Sequence, residues 1–341
     1  MEHIGIDLGS KESQICVRST GGEIVAECRW RTDRRVVFLQ GRPAARVILE
    51  TCTEAFRIAA LAQRAGHDVR VVAATLVRSL GVGHRGLKNA VRDARVLSEA
   101  SCRMDLPSVH IPTAISQEIK AICVSREALI KTRTQLIGRV RGYVRARLGR
   151  VLRATPESLP KRVRQALLDD PEGLPAHLER VLVALETVSE PIAEADAELR
   201  TLANADERMT RLRTVPGVGP VTAARFVAAI DDVERFPTAA SVASYLGLVP
   251  GENTTGFRTK RTRLTRAGAP QVRWALGQAA WSLYIRRKTD PMVQWAAQIA
   301  ARRGAQVAIM ALARKLAHVL YALWKHEASY DPSRAARLVA A

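Results

Sequence analysis

Apolar residues in this chain follow two different rhythms, and the change between them falls about a third of the way along. Over roughly the first hundred residues, short runs with strand character alternate with stretches of helical period. Residues 3 to 8 and 14 to 18 read as strands, and Gly21-Gly22 turns the chain into a third strand over 23 to 30. Val47-Ile48-Leu49-Glu50 has the continuous apolar run of a short buried strand, residues 53 to 65 are helical, and Val69 to Ala73 is another strand. A helix follows from Ala90 to Arg103, and Pro107 and Pro112 mark a boundary. This alternation predicts a mixed α/β sheet.

Beyond the boundary the period is helical almost throughout. Residues 114 to 154 favour helix, and Arg126, Lys131, Arg133, Arg139, Arg141, Arg145, Arg147, Arg150 and Arg153 dominate their charge. After a proline-bearing break from Pro156 to Pro175, Leu178, Val181, Leu182, Leu185, Val188, Ile192, Ala195 and Leu199 recur at three- and four-residue spacing. The two stretches suit an antiparallel helical hairpin or coiled coil; a solvated basic face on an ordinary bundle is the other reading. The third region starts near Asp206 and reads as nearly all helical, with late helices over Pro270 to Arg286 and Ala305 to Lys325. On the first of these, Trp274 and Trp281 are expected in the core. The fold class is therefore α/β plus all-α, divided as 1–112, 113–205 and 206–330, with a tail over 331–341.

Composition narrows the partners. The 341 residues include 53 Lys and Arg against 33 Asp and Glu, a formal charge of +20, which favours a polyanion. A membrane partner is not expected, because the apolar run Val307 to Ala313 is cut by Arg314 and Lys315. The N-terminus runs directly into a strand-like segment with no signal-peptide pattern, so a cytoplasmic location is expected. The five cysteines, Cys16, Cys28, Cys52, Cys102 and Cys123, never form a Cys-x-x-Cys pair and read as small core residues.

Two segments carry candidate chemistry. Val215-Pro216-Gly217-Val218-Gly219-Pro220 has the form of a helix-hairpin-helix turn, in which Gly217 and Gly219 would let backbone amides approach a phosphate; a plain helix-helix turn has the same residues. Asp7 ends the first strand and Glu50 ends the strand from Val47, so adjacency would bring their carboxylates to one sheet edge, where Asp93 could close the cluster. Such an all-oxygen set suits magnesium or manganese at a scissile phosphate. Gly5-Ile6-Asp7-Leu8-Gly9 also looks like the first phosphate loop of actin-type ATPases, but the second Asp-Gly-Gly-like loop that such a protein needs is missing.

The segments Ile4-Gly5-Ile6-Asp7, Val47-Ile48-Leu49-Glu50-Thr51, Lys88-Asn89-Ala90-Val91-Arg92-Asp93-Ala94, Val215 to Pro220 and Tyr245-Leu246-Gly247-Leu248-Val249-Pro250 together resemble the insertion sequence 110 family of transposases, particularly its insertion sequence 1111 branch. The resemblance covers nearly the whole chain, in order. It implies an RNase H-like (RuvC-like) N-terminal domain with an Asp-Glu-Asp-Asp set, a coiled coil, and a C-terminal transposase domain that supplies a serine nucleophile. It also implies DNA as donor and target, a non-coding guide RNA encoded by the element, and a dimer or tetramer. Carried over by position, Asp7, Glu50 and Asp93 are the metal ligands. Ala90 stands where the family has another acid, a loss for which Glu99 could compensate. In Gly247-Leu248-Val249-Pro250-Gly251-Glu252-Asn253-Thr254-Thr255-Gly256, Thr255 takes the serine's place, with Thr254 as a near alternative and a capping or turn-forming threonine as the plain reading.

Arg258, Lys260, Arg261, Arg263, Arg266 and Arg273 follow directly, and with Arg139, Arg141 and Arg145 they are candidate nucleic-acid contacts. Two other functions fit the same residues: a RuvC-like nuclease using metal-bound water, and a catalytically disabled copy that still binds RNA and DNA.

Overall fold

In the computed structural model of the chain, the described residues are all but 32–33, 80–88, 169, 256–257 and 335–341; of residues 35, 36, 79, 255 and 258–261 the backbone alone is described. Lys88, Gly256 and the tail from residue 335 onward thus lie outside them. The chain forms two compact units, Met1–Pro112 and Thr113–Ala341.

The first unit contains β1 (His3–Asp7), β2 (Glu12–Arg18), β3 (Ile24–Arg31), α1 (Arg35–Gln40), β4 (Arg46–Glu50), α2 (Ala55–Arg64), β5 (Asp68–Val72), α3 (Ala74–Ser79) and α4 (Ala90–Arg103). Its five-stranded sheet has the order β3-β2-β1-β4-β5. β1, β2 and β3 pair antiparallel, whereas β4 and β5 continue the sheet in parallel with β1. Strand alternation divides the apolar residues between two faces. Ile4, Ile6, Ile15, Val17, Val47, Leu49, Val69 and Val71 pack with Leu39, Ile58, Ala59 and Ala62 of α1 and α2. Ile48 and Val72 pack on the other face with Leu97 and Ala100 of α4. Both faces being covered explains why Val47-Ile48-Leu49 reads as an unbroken apolar run. His67 is a structural histidine: its Nδ1 accepts the Ala45 amide at 3.1 Å and its Nε2 donates to the Leu39 carbonyl at 2.9 Å.

The second unit begins with α5 (Ala114–Leu148), α6 (Leu159–Ala166) and α7 (Ala176–Ala205), followed by α8 (Glu207–Leu212), α9 (Pro220–Ile230), α10 (Ala239–Tyr245), β6 (Pro250–Thr255), β7 (Arg258–Leu264), α11 (Pro270–Arg286), α12 (Pro291–Arg303) and α13 (Ala305–Lys325). The long cationic helix stops at Leu148 and not at 154, because Gly149 takes a left-handed C-cap at φ +62. The proline-bearing break holds a helix of its own, α6, with Pro160 in its first turn, where proline is tolerated. α5 and α7 meet in two separate cores. Val140, Val144, Leu178, Leu182 and Leu185 pack with Leu159 and Val163 of α6. Ile119, Cys123, Leu199 and Ala203 instead join the main core formed by α8 to α13.

Three expectations are corrected here. The region after Asp206 is not wholly helical: β6 and β7 form an antiparallel ribbon. The cysteines are not uniformly core, since Cys16 and Cys123 are buried but Cys52 is exposed; all five are free. The apolar run at Val307 extends past Arg314 and Lys315, so that α13 is, among the described residues, one helix long and apolar enough to cross a membrane by length and composition. Within this unit Leu312, Ala313, Leu316, Ala317 and Leu320 of α13 are fully buried in the main core, which accounts for that composition without a membrane.

Candidate active site

β1 and β4 run side by side in parallel, with Ile6 opposite Leu49. Asp7 and Glu50 each follow that pair, so they end neighbouring strands about 5 Å apart, the usual strand spacing. Alternation puts both on the face opposite Ile6 and Leu49, which is the face that α4 covers. The direction of α4 then decides where Asp93 falls. His3 Nδ1 lies 2.7 Å from Ser101 Oγ near the end of α4, whereas a Cβ at Gly5 would stand 2.3 Å from the Ala94 carbonyl and 2.6 Å from the Ser98 amide. α4 therefore runs antiparallel to β1, and its first turn, with Asp93, comes to the strand end that carries Asp7. Gly5 is what lets the helix backbone approach the strand this closely.

Asp93 is 4% exposed. It lies in the first turn of α4, whose N-cap Asn89 accepts from the Val91 amide, so the unsatisfied amides and the helix dipole favour its negative charge. Ala90 opens the same helix one turn earlier and is exposed, with nothing on it to bind a cation. Glu99 does not stand in for it. It lies nine residues farther along α4, away from the edge, and pairs with Arg18 at 3.7 Å and Arg103 at 2.5 Å. Among the described residues, no group of three or more His, Cys, Asp and Glu stands close enough to hold a metal ion as it is. Asp7, Glu50 and Asp93 thus share an edge and an oxygen chemistry suited to a hard divalent ion, without forming a ready-made ligand shell.

In the second unit, the Pro-Gly turn joins α8 to α9. Gly217 has φ +90, and a Cβ there would meet the Ala279 carbonyl of α11 at 2.6 Å. Its missing side chain therefore allows close packing between helices. Gly219 faces open space, and as N-cap of α9 it has no side-chain cap, so this end of the turn retains the features of an anion site.

The ribbon pairs Thr255 with Arg258 and Asn253 with Lys260, and Thr254 donates its hydroxyl to Glu252 Oε1 at 2.9 Å. The side chains of Thr255, Arg258, Lys260 and Arg261 lie outside the described residues. Arg263 and Arg266 are exposed. Arg273 is not: its guanidinium donates to the carbonyls of Leu246 and Gly268, and burial together with nearby Arg266 lowers its pKa, so it clamps the loop beneath the ribbon. Arg139, Arg141 and Arg145 are exposed on α5, with Arg141 donating to the Ala154 carbonyl at 3.3 Å.

Two features of this unit escape sequence reasoning. Arg225 is 5% exposed and bonds Glu127 at 2.9 Å and the Gln271 carbonyl at 3.2 Å, fastening α9 to α5 and α11. Trp274 and Trp281 are 59% and 37% exposed, not core. A signal for the latter was present: Val272, Ala275, Leu276, Ala279, Ala280 and Leu283 already form a complete buried stripe at helical spacing, leaving both indoles on the opposite side.

An acidic sheet edge in one unit and a strongly cationic helical unit in the same chain are the equipment of a protein that works on phosphodiesters. Comparison with known proteins makes this specific. Residues 4–146 match a transposase family of the DEDD IS110 type, and residues 209–295 match the transposase IS116/IS110/IS902 family. The chain is 30% identical to a putative transposase y4pF/y4sB of Sinorhizobium fredii over 86% of its length and 76% of the relative's. It is 29% identical to a probable family 20 transposase of Pseudomonas aeruginosa, covering 97% of this chain and 99% of that one. It is 26% identical to the transposase for insertion sequence element IS1111A of Coxiella burnetii, over 96% and 90%. This chain belongs to the IS116/IS110/IS902 family of transposases.

Proposed function

We propose that the chain cuts and rejoins DNA at its acidic sheet edge, with specificity delegated to a non-coding RNA encoded by its element. The observation that carries this reading is the antiparallel course of α4, which brings buried Asp93 to the edge where β1 and β4 end in Asp7 and Glu50. The strand order β3-β2-β1-β4-β5 supports an RNase H-like, RuvC-like first domain over 1–112, with a helical hairpin over 113–205 and a transposase domain over 206–330. A bound magnesium or manganese ion would supply charge neutralisation at the scissile phosphate, held by Asp7, Glu50 and Asp93 once their carboxyls converge on it. The Thr255 oxygen would bond to phosphorus, releasing its proton to solvent, as the bond to the departing DNA oxygen breaks and that oxygen takes up a proton, and the phosphothreonine ester would conserve the bond energy for rejoining. Arg263 and the other cations of β7, with Arg266 just beyond the strand, would hold the backbone. Strand exchange needs several such sites together, so the working form is a dimer or tetramer acting on chromosomal DNA in the cytoplasm.

Ala90 favours a second reading, a copy that binds but does not cut. The test is a strand-transfer assay with the protein, the element's RNA, donor and target DNA and magnesium, run alongside Ala90→Asp and Thr255→Ala. A covalent protein–DNA adduct in the wild type or in Ala90→Asp, lost with Thr255→Ala, supports the recombinase; activity restored only by Ala90→Asp makes this copy a disabled one. Cleavage that survives Thr255→Ala indicates a nuclease using metal-bound water.

A further inference from the structure

We infer that the outer face of α11 is a stacking platform for unpaired nucleobases, with Trp274 and Trp281 as its two surfaces. The inference rests on the reading that the chain handles nucleic acid and adds where single strands would lie. At 100° per residue, Trp274, Trp281 and Ile285 fall within about 40° of one another, opposite the buried stripe of the same helix. All three are exposed, Ile285 at 62%, and a Cβ at Gly277 beside them would meet nothing within 4 Å. The face is therefore apolar, open and flat, on a helix held rigidly by its other side.

The surroundings indicate the partner. From residue 253 to residue 289 the sequence has no Asp or Glu, yet it includes Arg258, Lys260, Arg261, Arg263, Arg266, Arg273, Arg286, Arg287 and Lys288. Arg286, Arg287 and Lys288 are exposed at the far end of the platform. The Arg225 guanidinium lies 5.7 Å from the Trp274 ring centroid, and Tyr284, edge-on to Trp281 at 6.2 Å, has Lys288 over it at 4.5 Å. Exposed indoles with Arg286, Arg287 and Lys288 at one end suit stacked bases on a phosphate backbone, while Arg225, which faces Trp274, is already paired with Glu127. Seven helical residues separate the indoles by about 10 Å, roughly three base-stacking steps. Between them, exposed Gln278 offers a donor and an acceptor to a base edge. A duplex presents no free base faces, so the occupant is single-stranded. A second copy of the chain is disfavoured as occupant, because an antiparallel two-fold contact on this face would set Arg286 and Arg287 against the equally basic start of α11 and the loop before it, which carry Arg266 and Arg273 and no acid.

The test uses the full chain and fluorescein-labelled 20-mers of thymidine and of uridine, with a 20-base-pair duplex of mixed sequence for comparison, all at one salt concentration. Trp274→Ala and Trp281→Ala are each expected to weaken single-strand binding about tenfold, and together by more, with duplex binding changed less than twofold. Trp274→Phe and Trp281→Phe should recover most of the loss, and intrinsic tryptophan fluorescence should be quenched by the single strands alone. A preference for uridine or thymidine identifies the strand as RNA or DNA. Equal losses for duplex and single strand, no loss with either, or a change of oligomeric state in Trp274→Ala on sizing would overturn the platform. Wild-type protein that binds duplex but no single strand overturns it while leaving the proposed function intact, whereas wild type that binds neither removes both.

Discussion

The acidic edge of the first unit and the threonine-arginine ribbon of the second are built by opposite means. At the edge, Asp7 and Glu50 continue strands locked by neighbours on both sides, and Asp93 sits buried on a helix seated directly on Gly5. The ribbon is a two-stranded pair held by its own register, with Arg263 and Arg266 in solvent. Packing thus fixes the carboxylates proposed to hold the metal ion, whereas the arginines proposed to hold the backbone stay exposed. A change at the edge should therefore alter chemistry or stability, and a change at the ribbon's exposed arginines should alter binding alone, whereas Thr255, at the end of β6, belongs with the proposed chemistry.

The largest expected effect is that of Asp93→Asn, which keeps the side chain's shape and removes its charge. Strand cleavage should fall on the order of a thousandfold while DNA binding stays within about twofold, as read by parallel gel assays. Retained cleavage would break the contrast. Arg225→Ala tests the opposite case, a buried charge in the second unit that is structural. It leaves Glu127 without its guanidinium, and urea denaturation should show a loss of about 2–4 kcal/mol. Gly5→Ala forces a Cβ into the backbone of α4 and should cost about 1–3 kcal/mol, lowering cleavage along with stability because it displaces Asp93.

Smaller effects sharpen the comparison. Arg263→Ala with Arg266→Ala should flatten the dependence of log K on log salt by about 0.9 for each phosphate that is no longer neutralised, with stability changed by less than about 0.5 kcal/mol. His318 on α13 should add a weak acid sensitivity. Burial, with Arg314 and Lys315 nearby, lowers its pKa to about 4 from 6.5, and its Nε2 is buried with no partner among the described residues. The unfolded chain therefore takes up this proton first, and stability falls as pH drops from 6.5 towards 4. The slope should be less than about 1.4 kcal/mol per pH unit, and His318→Gln should reduce it.

The same contrast governs what the sequence reveals. Strand β4 is legible because burial on both faces imposes a continuous apolar run, β1 and β5 because isoleucines and valines are spaced along short strands, and the helix that carries Asp93 because its helical period starts at Ala90. The ribbon is hidden, since β7 has Leu264 as its one apolar residue and shows no alternation to detect. Trp274 and Trp281 mislead because aromatic size suggests burial, although the helix already has its full apolar stripe without them. Gly217 looks like a phosphate-binding glycine; that it packs on α11 depends on a helix more than fifty residues away, which no local pattern discloses.

The most direct test of the acidic edge is manganese binding to the full chain, followed by electron paramagnetic resonance and compared with Asp93→Asn and Ala90→Asp. A saturable site that is lost in Asp93→Asn and tightened in Ala90→Asp is the expected result. Binding that is unsaturable, or indifferent to both substitutions, would contradict the assignment of Asp7, Glu50 and Asp93 as the metal-holding edge.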